Sequence, residues 1–208
     1  MSIDWLNIRS LNGSQRTAFE ELCCQLAEYE DTSLGSTFIR KGAPDAGIEC
    51  YWKLCDDKEW GWQAKFFLSS PDENQWRQID NSTKTALEKH PNLEKYTICL
   101  PLDRQVPRKE EEWFMDKWEN HVSKWRDWAK EKGMSVEFGY WGEHEIWERL
   151  NREEHRGRYF FWFNKDLFSH LWFENHINEA ISYAGPRYTP ELNVDLPISR
   201  IFEGLGRT

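Results

Sequence analysis

Polar side chains occur at strand-like spacing in a strongly apolar stretch of the chain. Gln63 and Lys65 alternate with apolar residues in the segment WGWQAKFF, so both should lie on one face of a strand. A lysine inside so apolar a strand needs a partner, because burying a bare ammonium group is costly. The segment therefore predicts a polar site around Lys65.

Glu49, on the preceding predicted strand, is the expected partner. A hairpin loop of residues 56–58 would pair Cys55 with Glu59. Counting back from that pair places Glu49 directly opposite Lys65, within reach of an ion pair. A slip of one residue would put the two side chains on opposite faces of the sheet, so the register can be tested.

Two more carboxylates could join this pair. Asp45 lies in a glycine-rich turn four residues before Glu49, and Glu20 lies at the margin of the apolar stripe of a predicted helix. Two or three carboxylates with open positions suit Mg²⁺ or Mn²⁺. The predicted metal ligands are Glu20, Asp45 and Glu49.

Such a metal ion lowers the pKa of a bound water and clamps phosphoryl oxygens. Lys65 could orient that water or stabilise the negative charge that develops, and Gln63 could position the water, a ligand or the lysine. The predicted catalytic residues are therefore Asp45, Glu49, Gln63 and Lys65. A structural salt bridge between Glu49 and Lys65 remains the alternative.

Hydrophobic periodicity and turn residues indicate the elements that must position this site. They predict helices over 13–30, 71–90, 110–132, 143–151 and 165–184, and strands over 37–40, 47–55, 59–67, 96–102 and 135–141. Within the first helix, Phe19, Leu22, Cys23 and Leu26 form the expected buried stripe. The fold class predicted is α/β, a mixed β-sheet flanked by α-helices.

Composition narrows the class of protein. The 208 residues are 39% hydrophobic and 30% charged, which is typical of a globular chain. Five cysteines without a C-x-x-C pair argue against a zinc site or a disulfide framework. Neither an apolar run long enough to cross a bilayer nor a signal peptide is recognisable, so the cytoplasm is the expected location.

The net charge of −9 argues against a nucleic-acid partner. A bound metal ion would supply local positive charge, however. Arg152, Arg156 and Arg158 lie in a predicted polar loop and could contact a DNA backbone. A solvated surface is the alternative interpretation of these arginines.

The segment APDAGIE, followed sixteen residues after Glu49 by the lysine of WQAKFF, resembles the Mrr-like branch of the PD-(D/E)XK (restriction-endonuclease-like) nuclease superfamily. The resemblance covers roughly residues 13 to 100. It implies a metal ligand at Glu49, a Gln-x-Lys pair at Gln63 and Lys65, and double-stranded DNA as substrate. Asp45 matches the acid of the family's turn, and Glu20 matches the glutamate of its first helix. Because the family more often has Asp at the position of Glu49, Asp45 could be a direct ligand or only hold the turn.

The tail segment RYTPELNVDLP resembles the junction that follows effector domains of bacterial antiviral STAND NTPases of the Avs class. This resemblance implies a nuclease domain over 1–184 and an extended linker over 185–208 towards a downstream NTPase domain. It also implies homo-oligomerisation and activation by a phage protein. The competing hypothesis is a nuclease-like fold that no longer cleaves and serves as a DNA-binding or oligomerisation module.

Overall fold

The computed structural model describes residues 3–42, 47–103, 114–163 and 170–184. Its strands form one five-stranded sheet in the order β1-β2-β3-β4-β5, with bounds β1 Thr37–Arg40, β2 Cys50–Lys53, β3 Glu59–Ala64, β4 Leu93–Cys99 and β5 Glu137–Trp141. The α-helices of the described residues are α1 Gln15–Ala27, α2 Glu73–Lys89, α3 Phe114–Glu131, α4 Glu143–Leu150, α5 Arg156–Phe163 and α6 His170–Ala184. The predicted α/β class is confirmed.

The sheet is mixed because its connections differ in length. β1, β2 and β3 pair antiparallel, whereas β3, β4 and β5 pair parallel. Parallel neighbours need a crossover connection, and α2 and α3 lie in the two connections concerned. The antiparallel hairpin of β2 and β3 carries the predicted site.

Helix α1 covers the first face of the sheet, which carries Cys50, Trp62 and Cys99. The Ser14 side chain accepts a hydrogen bond from the Thr17 amide at 3.2 Å and caps the helix. All four residues of the predicted apolar stripe of α1 are buried, as expected. Trp52 anchors the sheet to α1, because its indole Nε1 donates to the Ala27 carbonyl at 2.8 Å.

Helices α2 and α3 cover the second face, which carries Gln63, Tyr96 and Ile98. Tyr96 and Ile98 belong to a buried cluster with apolar residues of both helices. Removing one such large side chain from water contributes about 1.5–3 kcal/mol. This face is thus a closed core, and polar groups that point into it are held in a largely apolar setting.

Asp80 of α2 joins α2 to α3 through a cluster of buried polar side chains, here called the Asp80 cluster. The carboxylate accepts from His121 Nδ1 at 2.8 Å, Lys124 Nζ at 2.7 Å and Trp125 Nε1 at 2.7 Å. Burial alone raises the pKa of Asp80, but these three hydrogen bonds outweigh burial and hold the pKa below its ordinary value of 3.8.

The predicted pairing of Glu49 with Lys65 is wrong by two residues. Lys53 pairs with Glu59 and Cys50 with Trp62, and the Glu49 amide donates to the Trp62 carbonyl at 2.8 Å. That bond is displaced by one residue from the Cys50–Trp62 pairing, so the regular ladder ends at Cys50, and Glu49 meets Gln63 through its side chain. The reason lies in the turn, where Asp57 adopts a φ of 65° and lets the loop close one residue earlier than predicted.

The chain also departs from prediction after α4. Residues 156–163 form α5, where the sequence predicted a polar loop through Arg158. Tyr159, Trp162 and Phe163 are buried, and this i, i+3, i+4 spacing is what stabilises a helix against a core. The predicted loop is therefore wrong over residues 156–158.

The chain divides into two compact units, residues 1–166 and 167–208. In the second unit, α6 is the described element. The predicted linker, residues 185–208, lies outside the described residues, and the predicted boundary after residue 184 stays a prediction. Among the described helices, none combines the length and the apolar character that crossing a membrane requires.

Candidate functional site

Glu49 and Gln63 form the centre of the candidate site, which we define as Glu49, Gln63 and Lys65. Gln63 Nε2 donates to Glu49 Oε1 at 2.6 Å. Glu49 is 6% exposed and Gln63 is fully buried. The structure thus brings together two of the predicted residues, although through a register different from the predicted one.

The side-chain oxygen of Gln63 is left without a partner. Oε1 is buried and accepts no hydrogen bond. An unsatisfied buried acceptor costs about 1–3 kcal/mol, and such a group in a folded protein calls for an explanation. A cation or a hydrogen-bond donor bound beside Glu49 would satisfy it.

Lys65 follows directly after β3 and remains tied to the sheet. Its amide donates to the Cys99 carbonyl of β4 at 3.0 Å, and its side chain is only 8% exposed. Strand alternation places it on the second face with Gln63. The lysine is buried, as the sequence predicts, and its role in the site stays a prediction.

Arg40, at the end of β1, is a charged neighbour that the sequence analysis did not identify. Its Nη1 donates to the Glu49 carbonyl at 2.8 Å and lies 3.9 Å from Glu49 Oε2. Burial lowers the pKa of the guanidinium, but interactions with Cys24, Glu21 and Glu49 outweigh burial and raise it. The signal available was an arginine at the end of the strand TFIR, opposite the strand that carries Glu49.

Gly47 positions the segment that leads into Glu49. Its φ is 79°, a conformation that glycine adopts without strain. A Cβ at this position would clash with the Ser82 carbonyl of α2 and lie 2.8 Å from the Ala86 amide nitrogen. Tyr96 Oη donates to the Gly47 carbonyl at 2.6 Å. The glycine therefore lets the turn sit directly on α2 and β4, which fixes where β2 begins.

Glu20 lies on α1, the helix that covers the first face of the sheet. Its carboxylate accepts from Arg16 Nε at 2.8 Å in an i, i+4 ion pair. The neighbouring Phe19 packs on Phe66 with ring centroids 5.6 Å apart, so this part of α1 approaches the chain just after Lys65. The predicted metal-ligand role of Glu20 stays a prediction.

Asp45 lies outside the described residues, as do the other residues of 43–46. Its predicted roles as metal ligand and catalytic residue remain predictions. The described residues stop at Gly42 on one side of Asp45 and resume at Gly47, two residues before Glu49, on the other.

The donor chemistry of the site suits a small divalent cation. The Glu49 carboxylate and the unpartnered Gln63 Oε1 are both oxygen donors, the type that Mg²⁺ and Mn²⁺ prefer. The described residues contain no group of three or more His, Cys, Asp or Glu side chains arranged to hold a metal ion. Asp45 lies outside the described residues, so Glu49 and Gln63 supply part of a ligand set for the predicted ion.

The three arginines predicted to contact DNA lie away from the hairpin in sequence, at the α4–α5 junction. Arg152 is exposed, and Arg156 begins α5. Arg158 folds back on the protein, with its guanidinium 4.3 Å from the centre of the Tyr29 ring and Nη1 3.0 Å from His155 Nδ1. Their contact with DNA stays a prediction.

No protein-family model matches this chain, and no curated protein matches it. The candidate site therefore rests on its own geometry and on the resemblance carried by its motifs.

Proposed function

We propose that this chain is a metal-dependent endonuclease that hydrolyses DNA phosphodiester bonds with Mg²⁺ or Mn²⁺. The observation that carries the proposal is the buried Glu49–Gln63 pair beside the buried Lys65, with the Gln63 side-chain oxygen left unsatisfied. The motif resemblance to Mrr-like nucleases supports the same function. Perturbed or unsatisfied polar groups often occur where a ligand completes the site.

The bound metal would supply an activated water and a clamp on phosphoryl oxygens. Glu49 would hold it through its carboxylate, with Gln63 fixing the orientation of that carboxylate through the 2.6 Å hydrogen bond. Asp45 and Glu20 would complete the ligand set. Lys65 would orient the attacking water or donate to the phosphoryl oxygen on which negative charge develops.

Burial strengthens what Lys65 can contribute. At 8% exposure its ammonium lies in a setting of lower effective dielectric than bulk water, where its attraction to a developing negative charge is larger. The backbone pairing of Lys65 with Cys99 keeps the base of the side chain in place. Catalysis then requires little reorganisation of the protein.

The same proposal includes a cellular context that follows from the resemblance of the tail segment. The chain would be the effector domain of a longer, cytoplasmic anti-phage defence protein. Homo-oligomerisation through other domains and recognition of a phage protein would control cleavage of double-stranded DNA.

A catalytically inactive module is the second candidate function. The observation that favours it is that Gln63 and Arg40 already donate to Glu49, as they would in a purely structural network. Such a module would bind DNA or mediate oligomerisation without a metal ion.

Cleavage of supercoiled plasmid with Mn²⁺ tests the proposal. We expect the parent chain to cut and Lys65→Ala to lose cutting while its circular-dichroism spectrum is unchanged. Lys53→Ala is the matched control, because Lys53 lies in the same hairpin and is about half exposed. Cutting by Lys65→Ala at the parent rate would show that Lys65 is not catalytic, and no cutting by the parent would favour the inactive module.

A further inference from the structure

His155 lies between α4 and α5, at a place where the residues that follow α1 contact both helices. Its imidazole is buried and stands edge-on to the Tyr29 ring, with the ring centroids 4.8 Å apart. The Arg158 guanidinium of α5 lies 4.3 Å from the centre of the same Tyr29 ring. Beside them, Arg149 of α4 donates to both carboxylate oxygens of Glu30 at 2.8 and 3.1 Å. These contacts hold the beginning of α5 against the end of α1, and we call them the His155 junction.

Arg158 determines which form of the His155 ring fits this packing. Arg158 Nη1 lies 3.0 Å from His155 Nδ1, and a guanidinium group only donates. Nδ1 is therefore the acceptor, and Nε2 carries the single proton of a neutral imidazole. That Nε2–H group is buried and has no hydrogen-bond partner among the described residues. The ring is thus held neutral, with one nitrogen occupied by Arg158 and the other without an acceptor.

A second proton on the His155 ring has no place in this arrangement. Protonation of Nδ1 would turn the acceptor of the Arg158 hydrogen bond into another donor. Neither ring nitrogen would then face an acceptor, and burying a charged group without hydrogen bonds is costly. The closed junction therefore excludes the charged form of this histidine.

The charges around the ring act mostly in the same direction. Burial lowers the pKa of this histidine below its ordinary value of 6.5, and Arg158, Arg152 and Arg149 lower the pKa further, whereas Glu154 raises it. Glu154 is exposed, so solvent screens its attraction. The Glu30 carboxylate, on the side of α1, is already paired with Arg149. The surrounding charges thus oppose protonation together with the hydrogen-bond geometry.

We propose that the His155 junction is a pH-sensitive switch, in which a proton taken from solvent by His155 Nδ1 displaces Arg158 and releases α5 from the residues that follow α1. Release exposes the apolar face of α5, which carries the buried side chains of Tyr159, Trp162 and Phe163. The inference goes beyond the proposed nuclease function and does not depend on it, because none of the candidate-site residues takes part.

The direction of the pH effect follows from the two forms of the junction. In the open form the ring is in solvent and its pKa returns to about 6.5, whereas in the closed form the pKa is lower. The open form therefore takes up the proton first, and opening becomes more favourable as the pH falls below 6.5. With one proton per opening event, the opening constant rises by at most about tenfold per pH unit. The rise ends once the pH reaches the lowered pKa of the closed form.

Hydrogen–deuterium exchange of the full chain tests the switch one pH unit above and one pH unit below 6.5. After correction for the intrinsic exchange rate, we expect the opening constant of the α5 amides to rise by up to about tenfold at the lower pH, with the β4 amides as the reference for global unfolding. His155→Asn keeps an acceptor for Arg158 but cannot be protonated, so it should show no such rise. His144→Asn, which removes an exposed histidine of α4, should behave like the parent.

An NMR titration of the His155 ring in the parent chain decides the inference even where His155→Asn does not fold. The ring should take up its proton below pH 6.5, over the same pH range in which α5 loses protection. Protonation of the ring while α5 keeps its protection would overturn the switch. An equal rise of the α5 opening constant in the parent and in His155→Asn would overturn it as well, as would a parent chain that shows no rise.

Discussion

Two buried carboxylates, Asp80 of α2 and Glu49, are satisfied in different ways. In the Asp80 cluster, His121, Lys124 and the indole N–H of Trp125 donate to one carboxylate. The Glu49 carboxylate accepts from the Gln63 amide at 2.6 Å and lies 3.9 Å from Arg40 Nη1, while the side-chain oxygen of Gln63 has no hydrogen-bond partner. Asp80 is embedded in a completed hydrogen-bond network that joins two helices, whereas the Glu49–Gln63 pair carries an unmet acceptor.

The difference teaches how to separate a structural polar cluster from a binding one. Buried polar groups are normally satisfied, since each unmet group lowers stability. A buried acceptor without a hydrogen-bond partner, next to a carboxylate and a buried lysine, therefore indicates a binding site more strongly than buried charge alone does. The comparison predicts that Asp80 acts mainly on stability and Glu49 mainly on ligand binding.

The largest effect on stability should come from Asp80→Ala. It leaves His121, Lys124 and Trp125 without their shared acceptor, and breaking a buried ion pair from one side costs about 3 kcal/mol. Urea unfolding should show this loss, whereas Asp127→Ala on the exposed surface of α3 should change the free energy of unfolding by less than about 0.5 kcal/mol. An Asp80→Ala variant as stable as the Asp127→Ala variant would contradict the role in stability that the comparison assigns to Asp80.

A somewhat smaller effect should come from metal binding. A ligand that binds only the folded chain stabilises it by about 2.7 kcal/mol when its free concentration is 100 times its Kd. We expect Mn²⁺ to raise the melting temperature of the parent and of Asp80→Asn, but not of Glu49→Gln. An equal rise in all three chains would exclude Glu49 as a ligand.

The smallest effect should be a dependence of stability on pH. Because the pKa of Asp80 is lower in the folded chain than its ordinary value of 3.8, ionised Asp80 stabilises the fold above pH 3.8. That contribution disappears as the pH falls from 3.8 through the lowered pKa. The difference in unfolding free energy between parent and Asp80→Asn should therefore narrow over this acidic range, and a constant difference would contradict the assigned hydrogen bonds.

Local patterns allowed much of the fold to be predicted. The bounds of β1 and the buried stripe of α1 follow from spacing along a single element. Glu49 and Gln63 meet as members of the predicted site, even though the register was wrong. A shift of two residues preserves the face of a strand, so the error moved the partner of Glu49 from Lys65 to Gln63 without moving it off the site.

The parts that escaped prediction depend on contacts between distant segments. The Lys41–His90 hydrogen bond joins residues 49 apart in sequence, and Asp80 meets His121 across 41 residues. No periodicity within one element indicates such pairs. The turn at Asp57 is a different case, since a left-handed aspartate is a choice among turn types that the sequence permits but does not specify.

Gly47 affects which substitutions a screen for variants without activity would recover. With a φ of 79° and the backbone of α2 against the place of a Cβ, position 47 tolerates no side chain. A selection for lost activity would therefore recover substitutions of Gly47 as readily as those of Glu49, two residues away. The two classes separate only by protein abundance, because cells would degrade the misfolded Gly47 variants while accumulating folded but inactive Glu49 variants.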